Sequence, residues 1–125
     1  MNLLIDTHAL LWWLGDHPQL RAPARAALES PGSVVWASAA SAWEMTIKRA
    51  KGKLETPDDL VETLAASGVR SLPISVDHAV AAGALPRHHG DPFDRMLIAQ
   101  AIAEGLTIVT RDRWFRTYGV PVIEA

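Results

Sequence analysis

DPFDRMLIAQAIAEGLTIVTRD, residues 91–112, reads as a helix, a strand and an acid in direct succession. Asp91 is a natural N-cap, Pro92 suits the first helical position, and Asp94 falls in the first turn, where the helix dipole favours a carboxylate. Leu97, Ile98, Ala101 and Ile102 recur at helical spacing and predict one buried face. Gly105 stops the helix. Leu106 to Val109 is then a short apolar run of strand length, closed by Thr110-Arg111-Asp112.

The same alternation extends in both directions. At the N-terminus, NLLI (residues 2–5) is uniformly apolar and ends at Asp6, as expected for a strand buried on both faces. Thr7 to Leu14 reads as a helix stopped by Gly15, and Pro18 to Leu28 as a second. Pro31-Gly32-Ser33 is a turn before a strand at Val34 to Ala37. Ser38 and Ser41 offer caps for a helix to about Lys51, with Trp43, Ile47 and Ala50 as its apolar stripe. Gly52 ends it. Pro57-Asp58-Asp59 opens a helix to about Ser67, Val69 to Ile74 is a strand, and Val76 to Leu85 a helix. Pro86 to Gly90 is a loop. Beyond Asp112, a short helix near Trp114 and a strand at Val120 to Ile123 are predicted. Strands alternating with helices argue for a parallel, doubly wound α/β sandwich. With no repeat, linker or low-complexity tract, residues 1–125 are expected to form one domain.

Composition excludes several classes. The chain is 49% hydrophobic and 21% charged, ordinary for a globular domain. Twelve Lys and Arg against fourteen Asp and Glu give a net charge of −2. Any nucleic-acid partner would therefore have to be held by a local basic rim or by bound metal rather than by bulk charge. The absence of cysteine excludes disulfides, thiolate metal sites and cysteine nucleophiles. MNLLIDTHALLWWL lacks a basic leader and is interrupted by Asp6 and His8, so neither a membrane span nor a signal peptide is expected. A cytoplasmic protein is.

In open α/β sheets, ligands sit beyond the carboxyl ends of the strands. Asp6 and Asp112 end the first and fourth strands, Glu44 lies about two turns into the helix after the second, and Asp94 opens the helix before the fourth. All four are expected at one rim. Gathered carboxylates repel one another, and a hard cation such as Mg²⁺ or Mn²⁺ removes that repulsion. Such a site suits in-line hydrolysis of a phosphodiester. Taken singly, each acid has a structural explanation. Asp6 and Asp112 suit helix caps, Asp94 suits the dipole, and Glu44 suits an ion pair with Lys48. The joint arrangement is what points to a metal.

LLIDTHALLWWL, SAWE, DPFDRMLIAQA and IVTRD, in this order and at these separations, resemble a PIN-domain ribonuclease, specifically the VapC-type toxins of type II toxin–antitoxin systems. The likeness covers essentially the whole chain, and its first and third segments are the specific ones. It implies a PIN-like three-layer α/β/α sandwich with a central parallel sheet of about five strands. It also implies Mg²⁺- or Mn²⁺-dependent RNA cleavage, a homodimer and a cognate antitoxin. The family's acidic quartet falls on Asp6, Glu44, Asp94 and Asp112, and Thr7 matches the small hydroxyl residue after the first acid. Asp91 competes with Asp94, but its place before Pro92 gives it a sufficient capping role.

Thr110 stands as a further supporting residue. Arg95, Arg111 and Arg113 flank the candidate ligands and suit either RNA phosphates or the balancing of the acidic cluster. His88 and His89 are expected to face solvent or to join an RNA-contacting rim with Arg87. His8 is expected to be a packed or surface histidine. Five successive apolar residues, Leu10 to Leu14, cannot all face one core and predict a contact with a second chain through Trp12 and Trp13. Two other functions fit the alternation: a phosphoacceptor signalling domain and an inactive PIN-like binding module. The first needs a late-strand lysine, and no Lys follows Lys53. The second has no reason to keep four acids.

Overall fold

The computed structural model describes all residues, Met1–Ala125. Five strands form one wholly parallel sheet: β1 (Asn2–Ile5), β2 (Val34–Ser38), β3 (Arg70–Leu72), β4 (Thr107–Thr110) and β5 (Val122–Glu124). Their spatial order is β3-β2-β1-β4-β5. The apolar β1 is therefore central, and the chain winds outward from it both ways. A receiver-type phosphoacceptor would show 2-1-3-4-5 instead, so the topology removes that alternative.

Six helices cover the sheet: α1 (Thr7–Leu14), α2 (Ala22–Glu29), α3 (Ala39–Ala50), α4 (Leu60–Ser67), α5 (Val76–Ala84) and α6 (Pro92–Glu104). A 3₁₀ helix spans Arg113–Tyr118. Side chains alternate across β1, so Leu3 and Ile5 enter one core with Ala9, Leu10, Leu28 and Met45, while Leu4 enters the other with Leu97, Ile98 and Phe115. Two cores on opposite faces of one sheet make the three layers.

Boundaries shift where local signals were ambiguous. The second helix starts at Ala22, not Pro18; Pro23 fits its first turn, and the chain before it turns at His17, whose carbonyl accepts a backbone bond from Leu20. β3 is shorter than predicted, and β4 and β5 begin one and two residues later. Two stripes are also corrected. Ile102 is exposed, because α6 is buried through Leu97, Ile98, Gln100 and Ala101. Trp43 is 61% exposed, and the buried face of α3 is Ala40, Ser41, Glu44 and Met45. The run Leu11 to Leu14 packs against the first core, so less of it faces outward than the sequence suggested.

Candidate active site

Parallel winding brings the carboxyl ends of β1 and β4 together with the N-terminal parts of α3 and α6. The capping explanations hold in full. Asp6 Oδ1 accepts from Ala9 N at 2.9 Å, and Asp112 Oδ1 from Trp114 N at 2.9 Å. Asp91 Oδ1 accepts from Phe93 N and Asp94 N at 2.8 and 3.2 Å. Capping uses Oδ1 of each acid and leaves its second oxygen available elsewhere.

For Asp6, the second oxygen accepts a hydrogen bond from Thr110 Oγ1, which in turn accepts from Asp112 N at 3.0 Å. Thr110 thereby joins the two strand-end acids. Glu44 is buried; its Oε1 accepts from Thr7 Oγ1 at 2.6 Å, and its Oε2 pairs with Lys48 one turn on. That bond raises the Lys48 pKa, assisted by the charges of Glu44, Asp91 and Asp94. Both expected threonines thus orient candidate ligands. Asp91 lies close enough to act on Asp94 and Lys48 electrostatically, but its carboxylate is engaged as a cap.

Asp94 is an acid whose ionised form the fold disfavours. Burial first, and then the like charges of Asp91, Asp6 and Glu44, together raise its pKa from 3.8 to about 7 against an opposing contribution from His89. Burial also raises the pKa of Asp6. The buried hydroxyl of Ser41, one turn before Glu44, has no protein partner. Oxygen donors with surplus negative charge are the chemistry that a hard divalent cation satisfies. The residues present fit such an ion.

One participant was missed by the sequence reading. His89 is half-buried, unlike exposed His88, and its Nε2 lies 2.9 Å from Asp94 Oδ2 and 3.2 Å from Asp112 Oδ2. The signal was its place two residues before the cap Asp91, in a loop leading to the acidic rim. His8 is exposed, as a surface histidine would be, and borders a cleft of about 320 Å³ with Asp6, Trp12, Arg111 and Asp112.

The arginines separate into two kinds. Arg95 is turned inward, donating to the carbonyls of Ala82, Gly83, Leu85, Pro86 and His89. Arg111 binds the carbonyls of Ala125 and Gln19 and lies 4.4 Å over the Trp12 ring, at the edge of the cleft. Arg113 is exposed.

A PIN-domain family model matches residues 3–121. Over 124 residues the chain is 32% identical to Ribonuclease VapC22 of Mycobacterium tuberculosis (strain ATCC 25618 / H37Rv), covering 96% of this chain and 94% of that protein. Among solved structures, VapBC2 from Rickettsia felis bound to a promoter DNA fragment superposes with a TM-score of 0.71 at 16% identity, covering 98% of each chain. A toxin–antitoxin complex from Klebsiella pneumoniae gives 0.62 at 20% identity, covering 98% of this chain and 96% of that one. At these identities the structural likeness speaks for the fold alone.

Proposed function

This chain belongs to the PIN-domain family, and from that premise we propose that it is a divalent-metal-dependent endoribonuclease serving as the toxin of a toxin–antitoxin pair. The observation that carries the reading is Asp94, a carboxylate pushed to about 7 by burial and by acidic neighbours. A carboxylate so placed is unfavourable when ionised unless a cation is bound. Mg²⁺, or Mn²⁺ in its place, held by Asp6, Glu44, Asp94 and Asp112, would supply the Lewis acidity that activates water and stabilises the leaving oxygen in phosphodiester hydrolysis.

The protein's own groups prepare that site. Thr110 holds the Asp6 carboxylate and Thr7 holds Glu44, while Lys48 balances one of the negative charges. Arg113, and Arg111 at the cleft edge, are suited to the RNA backbone, since arginine matches phosphate oxygens geometrically. RNA as substrate is supported by the relative named as a ribonuclease, and an antitoxin partner by the complexes with the same fold. No helix is long and apolar enough to cross a membrane. The protein acts in the cytoplasm, as one domain over residues 1–125, and as a homodimer.

Cleavage of mixed RNA with Mg²⁺, and after its removal by chelation, tests the reading. Asp6→Asn and Asp94→Asn are expected to lower the rate at least about 100-fold, as loss of a metal ligand or its support does. Asp91→Asn retains an N-cap and is expected to cleave at close to the wild-type rate. Wild-type rates from both ligand variants, or full activity in chelator, would reject the assignment.

A further inference from the structure

We propose that His89 is a positioning residue of the acidic pocket: its Nε2–H donates to Asp112 and lies against Asp94, so that it draws the two carboxylates together, and the ring does not coordinate the metal. The proposal rests on the metal-dependent reading above and assigns a role that reading left open.

The loop carrying His89 is fixed at several points. Tyr118 Oη accepts from the backbone N–H groups of His88 and His89 at 3.1 and 2.8 Å and donates to Pro86 O at 2.8 Å. Arg95 holds the carbonyls of Pro86 and His89. The imidazole itself meets the fully buried Phe115 ring edge-on, with centroids 6.4 Å apart and planes at 74°. Its position is therefore set independently of the acids.

Its proton is set as well. Nδ1 faces the backbone N–H of Asp91 at 3.3 Å, and an amide N–H can only donate. Nδ1 must present its lone pair, so in the neutral ring the proton sits on Nε2. A protonated nitrogen has no lone pair for a metal. It does have a hydrogen for Asp112 Oδ2 at 3.2 Å, with Asp94 Oδ2 only 2.9 Å away. One donor thus lies between two oxygens that would otherwise repel each other, and Asp94 Oδ1 remains outside this contact. Donors that orient metal ligands in this way are worth about 10- to 100-fold in metal affinity.

The test combines nitrogen NMR of histidine-labelled protein at pH 8 with calorimetric titration of Mg²⁺. His89→Gln assigns the ring signals among the five histidines and, through its side-chain amide, keeps an N–H donor. His89→Leu removes the donor. The expected result is a wild-type Nε2 that stays protonated both without and with saturating Mg²⁺. Mg²⁺ binding is expected to be about 10- to 100-fold weaker in His89→Leu and largely restored in His89→Gln. Loss of the Nε2 proton on adding metal would make His89 a ligand and overturn the proposal while leaving the metal reading intact. Wild-type Mg²⁺ affinity in a folded His89→Leu variant would overturn it too. A wild-type protein that binds neither Mg²⁺ nor Mn²⁺ removes both readings together. If His89→Leu does not fold, the wild-type spectra alone decide.

Discussion

At Asp94, folding and the proposed metal binding make opposite demands. Its pKa rises from the ordinary value of 3.8 to about 7 in the folded chain, mainly through burial. Between those values the folded state binds the proton more tightly than the unfolded state, so ionisation weakens the metal-free fold as pH rises through this window. The contribution present below pH 4 is lost by about pH 7. Mg²⁺ is accordingly expected to raise the melting temperature more at pH 8 than at pH 5, and calorimetric scans at the two values check it. The same reasoning predicts that Asp94→Asn is more stable than the wild type at pH 8 without metal, even as it loses cleavage. A gain of about 1 kcal/mol corresponds to roughly 4 °C for a domain of this size. A lower melting temperature for the variant would show that no electrostatic strain is stored there.

Between elements, a buried polar strap ties the acidic helices to each other. Ser38 caps α3 through Ala40 N at 3.0 Å and donates to Oε1 of Gln100 on α6 at 2.6 Å. Gln100 is fully buried, and its Nε2 donates to Pro73 O at 3.2 Å beside His78, whose ring Nε2 is 2.9 Å from Glu104. Glu44 and Asp94 ride on the two helices so joined. Gln100→Leu would leave the buried Ser38 O–H without its acceptor, at a cost of about 1–3 kcal/mol. Urea unfolding measures this, and an unchanged midpoint would mean that the strap carries no stability. The sequence hid it because Gln100 interrupts an apolar face, and periodicity alone marks that as an exposed position.

For the whole molecule, assembly turns on which apolar surface is left outside the two cores. The long apolar run at the end of α1 is largely absorbed by the first core. Exposed apolar side chains remain elsewhere, at Val76 and Val80 on one face of α5 and at Val61, Trp43 and Trp114. Those at Val76 and Val80 lie one turn apart and form a contiguous surface. Light scattering during size exclusion is expected to report a mass of twice 13.6 kDa at micromolar concentration. A monomer at that concentration would overturn the homodimer.

The alternation of elements, the strand-end positions of Asp6 and Asp112 and the capping of α6 by Asp91 were all determined by the sequence itself. They depend on local rules: an apolar run ends where a polar residue begins, and a cap precedes its own helix. The same locality explains why the capping role of Asp91 was legible, since a cap bonds only the next few amides. The tertiary structure alone decided that Thr110 holds Asp6 and Thr7 holds Glu44, 104 and 37 residues away. It also turned Arg95 inward and placed His89 between Asp94 and Asp112. These outcomes depend on which strands become neighbours and on the hydrogen-bonding needs of buried groups. Neither leaves a periodic trace along the chain, because the partners meet only once the sheet has brought its carboxyl ends together.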